Sequence, residues 1–264
     1  MRLFLSAAAT VLAFVPGQAF AWGKTGHRVI GKIAEPYLAA AAKAGVKRIL
    51  GAETMAEASN WPDTMRSDPA PFWQREAGPY HYVTVPKGKT YAEAGHPPEG
   101  DGVTALRRFA ATVRDPKASL ADKQAAIRFI IHIIGDLHQP LHAGNGTDQG
   151  ANDVRVTFKG RSTNLHSVWD SALVDEEQLS YSEMAEWLGA RITPALSREW
   201  MIADPQVWIA ESTALRDQVY PTGENRSLSW RYIYENTPRM ELRLQQGGVR
   251  LAAYLNDLFK RQRR

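Results

Sequence analysis

The segment HIIGDLHQPLH, residues 132 to 142, sets three histidines and an aspartate in a stretch that otherwise reads as a buried apolar helix. Imidazoles and a carboxylate among Ile131, Ile133, Ile134, Leu137 and Leu141 must be hydrogen-bonded, paired or metal-bound. Left buried and unpaired, each costs about 2–7 kcal/mol. Any fold of this chain must therefore satisfy these groups from inside, and metal suits the residue types best.

Spacing supports metal. His132 and Asp136 are four apart, so on a helix they share one face, about 40° apart around the axis and one turn along. His142 lies beyond Pro140, which removes a backbone donor and ends or kinks the helix, so it addresses a second place. A second pair follows in NLHSVWDSALV, where His166 and Asp170 are again four apart beside Val168, Trp169, Leu173 and Val174. The alternative stays open: a His and Asp at this spacing also make an ordinary helix ion pair.

The first twenty-one residues read as a secretory signal: Arg2, an apolar run from Leu3 to Val15, a Pro16-Gly17 break, and small residues Ala19 and Ala21 before a cut at Trp22. The run is shorter than the roughly 20 residues a bilayer span needs, and no later stretch is long enough. The expected product is one domain, residues 22 to 264, secreted or periplasmic, without a membrane anchor. Cysteine is absent, which excludes disulfide staples and thiolate chemistry. A zinc site must then use His, Asp, Glu or backbone groups, the mixture typical of catalytic sites. The net charge of +4 suggests anionic partners or an unremarkable surface. The terminal KRQRR reads as a solvated end, and the sequons at Asn145 and Asn225 matter only in a glycosylating host.

Apolar positions spaced i, i+3, i+4 predict an all-α chain with a small hairpin. Residues 25 to 50 read as two helices divided at Pro36. Residues 103 to 115 form an amphipathic helix closed by Asp115-Pro116. Ser119, with Asp122 three residues on, caps a long helix reaching His138. Further helices are expected over 181 to 198, 204 to 218 and 228 to 259, with Pro205 opening one and Pro221-Thr222-Gly223 dividing two. Residues 66 to 101, rich in proline and glycine, read as an irregular surface excursion carrying the apolar run Tyr80 to Val85. Residues 153 to 159 alternate and end at Gly160, a hairpin pattern.

WGKTGH at the proposed new N-terminus, NWPDTMR at 60 to 66, YHYV at 80 to 83, HIIGDLHQPLH, GAND at 150 to 153 and NLHSVWD together make the chain resemble the S1/P1 nuclease family. These are zinc-dependent enzymes similar in fold to bacterial zinc phospholipase C. The resemblance implies three zinc ions. Trp22, through its amine and carbonyl, His27 and a bridging Asp136 would hold one. Asp63, His81 and His132 would share Asp136 around a neighbouring ion, and His142, His166 and Asp170 would hold a third. His138 is left to structural duty and His96 to a loop.

Three Zn²⁺ against three carboxylates leave about three positive charges, a strong attractor for a phosphodiester. Paired metals also lower the pKa of a water towards roughly 7. Asp63 could orient the attacking water and Arg66 could hold a phosphate oxygen, whereas the plain reading of Arg66 is a surface arginine. Tyr82 could stack on an unpaired base or simply pack in its apolar run. Asn152 belongs to a GGND-like motif in which Ala151 replaces the second glycine, leaving the local backbone path in doubt. The resemblance implies an endonuclease acting as a monomer on single-stranded DNA and RNA, giving 5′-phosphorylated products, with 3′-nucleotidase activity on nucleotides. The rivals are a zinc phospholipase C, whose last pair tends to end in Glu where this chain has Asp170, and a non-enzymatic zinc-binding protein.

Overall fold

A computed structural model describes residues 22–222 and 226–260. The signal-peptide reading of 1–21, Gly223, the sequon at Asn225 and residues 261–264 of the basic end lie outside the described residues. Helix α1 (Lys24–Ala34) is followed by a 3-10 turn at Glu35–Tyr37 and α2 (Ala40–Leu50), so Pro36 divides the two as expected. Thr54 and Glu57 form a reciprocal cap on α3 (Met55–Ala58), and Pro62 occupies the first turn of α4 (Trp61–Met65), where its missing N–H costs nothing.

The region 66–101 is irregular, but it is not only surface. It carries a π turn at Phe72–Glu76, a 3-10 turn at Gly78–His81, strand β1 (Val83–Thr84) and α5 (Tyr91–Ala94). Its aromatics fasten it inward: Trp73 stacks on Phe129 at 5.5 Å, and Phe72 and Tyr80 meet the same ring edge-on. Such pairs contribute about 0.5–1.5 kcal/mol each beyond burial. Sequence pattern missed this because aromatics in turns have no period.

Helix α6 (Gly102–Arg114) packs beside the central α7 (Leu120–Asp136), which Ser119 caps by accepting from the Asp122 N–H. Ile127, Ile130, Ile131, Ile133 and Ile134 are all buried, the pattern of a helix enclosed on every side. The expected reach to His138 is corrected: α7 ends at Asp136. Gln139, the residue before Pro140, is held extended, as steric contact with the proline ring demands.

After a 3-10 turn at Pro140–His142 come strands β2 (Ala143–Gly144), β3 (Arg155–Phe158) and β4 (Arg161–Asn164). β1 pairs in parallel with β2, and β3 with β4 makes the expected hairpin, turned by Lys159 and Gly160, both at positive φ. Then follow α8 (Leu165–Ser167), a π turn at Val168–Ala172, α9 (Leu173–Asp175) and α10 (Tyr181–Ala190). The single span expected over 181 to 198 is two helices, because Pro194 opens α11 (Pro194–Trp200) behind the Thr193 cap. Asp204 caps α12 (Pro205–Val219), strand β5 (Ser227–Leu228) joins β3 in parallel, and α13 (Trp230–Leu258) closes the fold against α1. The result is a mainly α-helical domain, as the periodicity predicts. No helix among the described residues is long and apolar enough to cross a membrane.

Candidate metal centre

Three elements converge on the last turns of α7. His132 and Asp136 point from one face of it, and α1 lays His27 alongside, its ring stacked on His132 with centroids 4.0 Å apart. That approach needs Gly135, since a Cβ there would stand 2.8 Å from His27 Nδ1. α4 brings Asp63, whose Oδ1 is 3.8 Å from His132 Nε2, and the 3-10 turn before β1 brings His81. Asp136 divides its oxygens: Oδ1 lies 3.2 Å from His27 Nε2, while Oδ2 lies 3.1 Å from both His132 Nε2 and His81 Nδ1. His27, His132 and Asp136 could hold one cation, and Asp63, His81 and His132 another.

A third group stands apart. The β1–β2 bridge pairs Val83 with Ala143 and so draws together the residues just before each strand; His142 Nδ1–H donates to the His81 carbonyl at 2.6 Å. His142 Nε2 then lies 3.4 Å from Asp170 Oδ1, and His166 Nε2 lies 3.1 Å from Asp170 Oδ2. His166 and Asp170 face each other across α8 and the π turn rather than along one regular helix. Single π turns of this kind often mark functional sites. These three could hold a further ion.

The donor set fits metal on three counts. His27 Nδ1 and Nε2, Asp63 Oδ1, Asp136 Oδ1, His142 Nε2 and Asp170 Oδ2 are buried without a hydrogen bond. So many unsatisfied atoms in one interior would be costly unless a cation met them. Next, His132, His142 and His166 each give Nδ1–H to a backbone carbonyl, of Ser59, His81 and Gly150, at 2.6 Å. In the neutral imidazole this fixes the tautomer that leaves Nε2 as the lone pair for an ion, the usual support of a metal-bound histidine. Last, the carboxylates demand positive charge. Burial alone would push Asp136 up, but His132, His27 and His81 outweigh it and hold its carboxyl well below the usual range. Burial likewise pulls His142 down, and Asp170 and Asp136 overcome it to hold the imidazole at about 9. Burial keeps His27 and His81 below their ordinary value, ready to act as neutral ligands.

Trp22, the ninth expected residue, is buried at the head of α1, and the adjoining Gly23 N–H donates to the Asp170 carbonyl at 2.5 Å. A cleft of about 440 Å³ opens over these groups, lined by Arg66, His81, Tyr82, His142, Asn152 and His166 among others. Arg66 Nη1 is 3.5 Å from Asp63 Oδ1, so it is no free surface arginine. Tyr82 is 45% exposed on the cleft wall, outside the core that takes Tyr80 and Val83. Asn152 reaches the cleft rim and donates to the Gln149 carbonyl at 2.8 Å. Ala151 keeps a left-handed backbone, φ 67°, where its motif would have glycine.

His138 turns away into the core, Nδ1–H on the Ile134 carbonyl, and His96 sits exposed in its loop. Sequence reading passed over the supporting atoms: the Ser59, His81 and Gly150 carbonyls, which no side-chain pattern reports, and Gln139. Gln139 left a signal, one more polar residue in the apolar stretch.

The family model described as S1/P1 Nuclease matches residues 22–260. The chain is 31% identical to Endonuclease 4 of Arabidopsis thaliana over 94% of this chain and 93% of that protein. It is 27% identical to Nuclease S1 of Aspergillus oryzae over 96% of each, and 26% identical to Nuclease P1 of Penicillium citrinum over 90% of this chain and 97% of that one.

Proposed function

Because the chain belongs to the S1/P1 nuclease family, and is thus a metal-dependent enzyme hydrolysing phosphodiester bonds of nucleic acid, we propose that it is a trizinc endonuclease of single-stranded DNA and RNA. It leaves 5′-phosphorylated products and acts on 3′-nucleotides as well. The observation that carries this reading is the convergence of three buried His and Asp groups, with unsatisfied donor atoms, beneath one cleft.

In this proposal Asp63, His81, His132 and Asp136 hold one zinc and His142, His166 and Asp170 a separate one. Asp136, His27 and the Trp22 amine and carbonyl would hold the remaining zinc. When bound, the ions would supply positive charge for the phosphate and lower the pKa of a water towards neutrality. Arg66, braced by Asp63, faces the cleft and holds a phosphate oxygen as charge develops. Tyr82 offers its exposed ring to a base, worth about 1–3 kcal/mol when the base is unpaired. Residues 1–21 are removed on export to the periplasm or beyond, freeing the Trp22 amine, and the mature enzyme works as a monomer.

The test uses zinc-loaded chain beginning at Trp22 on single-stranded DNA, its duplex and phosphatidylcholine. We expect the single strand to be cut at least about tenfold faster than duplex, as one stacked base allows, with 5′-phosphate ends and no lipid turnover. Equal rates on both DNA forms, or lipid hydrolysis, would overturn the reading. A chain carrying one extra residue before Trp22 should lose zinc and activity, and full retention of both would remove the amine from the ligand set.

A further inference from the structure

Gln139 lies fully buried between the end of α7 and the turn that delivers His142, and both ends of its amide are used. Nε2 donates to Asp170 Oδ1 at 2.7 Å, and Oε1 accepts the Leu141 N–H at 2.5 Å. An amide is suited to this place because it donates and accepts at once without bringing charge. The bond to Asp170 leaves Oδ2 without a hydrogen bond, 3.1 Å from His166 Nε2. The Asp170 main chain is fixed as well, since its carbonyl takes the Gly23 N–H. A carboxylate held at its backbone still turns about its last torsion, which is broad and soft. The Gln139 bond to Oδ1 opposes that turn. Through Leu141 the same side chain also sets the turn carrying His142.

We propose that Gln139 is a positioning residue that locks the Asp170 carboxylate and the His142 turn in the arrangement that binds the separate zinc. This rests on the ligand assignment proposed above. Two of the three residues of that group, from segments 28 residues apart in number (His142 and Asp170), are thus oriented by one amide.

The experiment measures zinc per chain by mass spectrometry while the full enzyme is titrated with chelators of rising strength. Gln139→Glu keeps an acceptor for Leu141 but sets an oxygen against Asp170, and Gln139→Leu removes both bonds. Supporting residues of metal ligands typically change affinity about 10–100-fold. Both variants should release one zinc of three at that much weaker chelation while the other two stay as tightly held as in the parent. A purely structural role would loosen all three alike, so concerted release overturns the proposal, as does parental retention of all three in Gln139→Glu. Asp170→Ala is measured beside them. If it too keeps three zinc ions at parental strength, the assignment of the group is what fails, and the proposal falls with it.

Discussion

At the scale of single residues, the loop under the cleft runs against ordinary backbone preference. Gln149, Gly150 and Ala151 are successive left-handed residues, with φ of 53°, 62° and 67°. Gly150 is there because a Cβ would stand 2.6 Å from the Leu141 carbonyl, and its own carbonyl holds His166. Ala151 has no such excuse. Left-handed backbone costs a non-glycine residue about 1–2 kcal/mol. Against that, glycine would lose about 0.4–1 kcal/mol to a freer unfolded chain, and the buried methyl contributes about 0.8 kcal/mol. Ala151→Gly should therefore change stability by less than about 1 kcal/mol in urea denaturation. A loss beyond about 2 kcal/mol would mean that packing of the methyl dominates. The candidate ligand types were legible at this scale, since His and Asp in apolar surroundings announce themselves. The conformation of Ala151 was not, because it is imposed by the Asp148 carboxylate that accepts its N–H and by the neighbouring turn.

Among the elements, α7 shows how far periodicity carries. Its cap at Ser119 and its buried face could be read directly, while its end came two residues early because two 3-10 type bonds, from His138 to the Gly135 carbonyl and from Gln139 to the Asp136 carbonyl, tighten the chain ahead of Pro140. Beyond that end, α12 and α13 grip the chain: Ser212 Oγ donates to the Leu137 carbonyl, Arg243 Nε to the His138 carbonyl, and Glu211 takes both Arg243 and Arg250. His138 lies buried against these arginines. Burial first, then Arg243 and Arg250, hold its imidazole well below its ordinary value of 6.5.

The unfolded chain therefore takes up a proton near pH 6.5 that the folded chain refuses. Stability from this group is complete above that pH and is lost as pH falls below it. His138→Asn, whose amide can still donate to the Ile134 carbonyl, should flatten the pH dependence of stability of the metal-free protein between pH 6.5 and 5 by about one proton. An unchanged slope in denaturant midpoints across that range would show that His138 does not titrate on unfolding.

Over the whole molecule, the nine residues proposed to hold zinc span 22 to 170 and come from the segment just before α1, from α1, α4, α7 and α8, from two 3-10 turns and from the π turn. Metal bound only by the folded chain stabilises it, by about 4 kcal/mol for each ion present at a thousand times its dissociation constant. A domain of this size shifts its melting temperature by about 2–4 °C per kcal/mol. Stripping with chelator should thus lower the melting temperature by at least about 8 °C, restored by zinc in a concentration-dependent way. A calorimetric trace indifferent to chelator would mean that no ion is held in the native state.

The sequence by itself determined that the chain is helical, that it lacks thiol chemistry, and that its imidazoles and carboxylates in apolar surroundings must be hydrogen-bonded, paired or metal-bound, because period and polarity are local properties written residue by residue. Only tertiary structure decided which donors meet. The parallel β1–β2 bridge places His142 against His81, Gly135 lets α1 bring its histidine onto α7, and Gln139 turns Asp170. These are contacts between segments far apart in the chain, fixed by packing and by backbone carbonyls whose positions no residue type encodes.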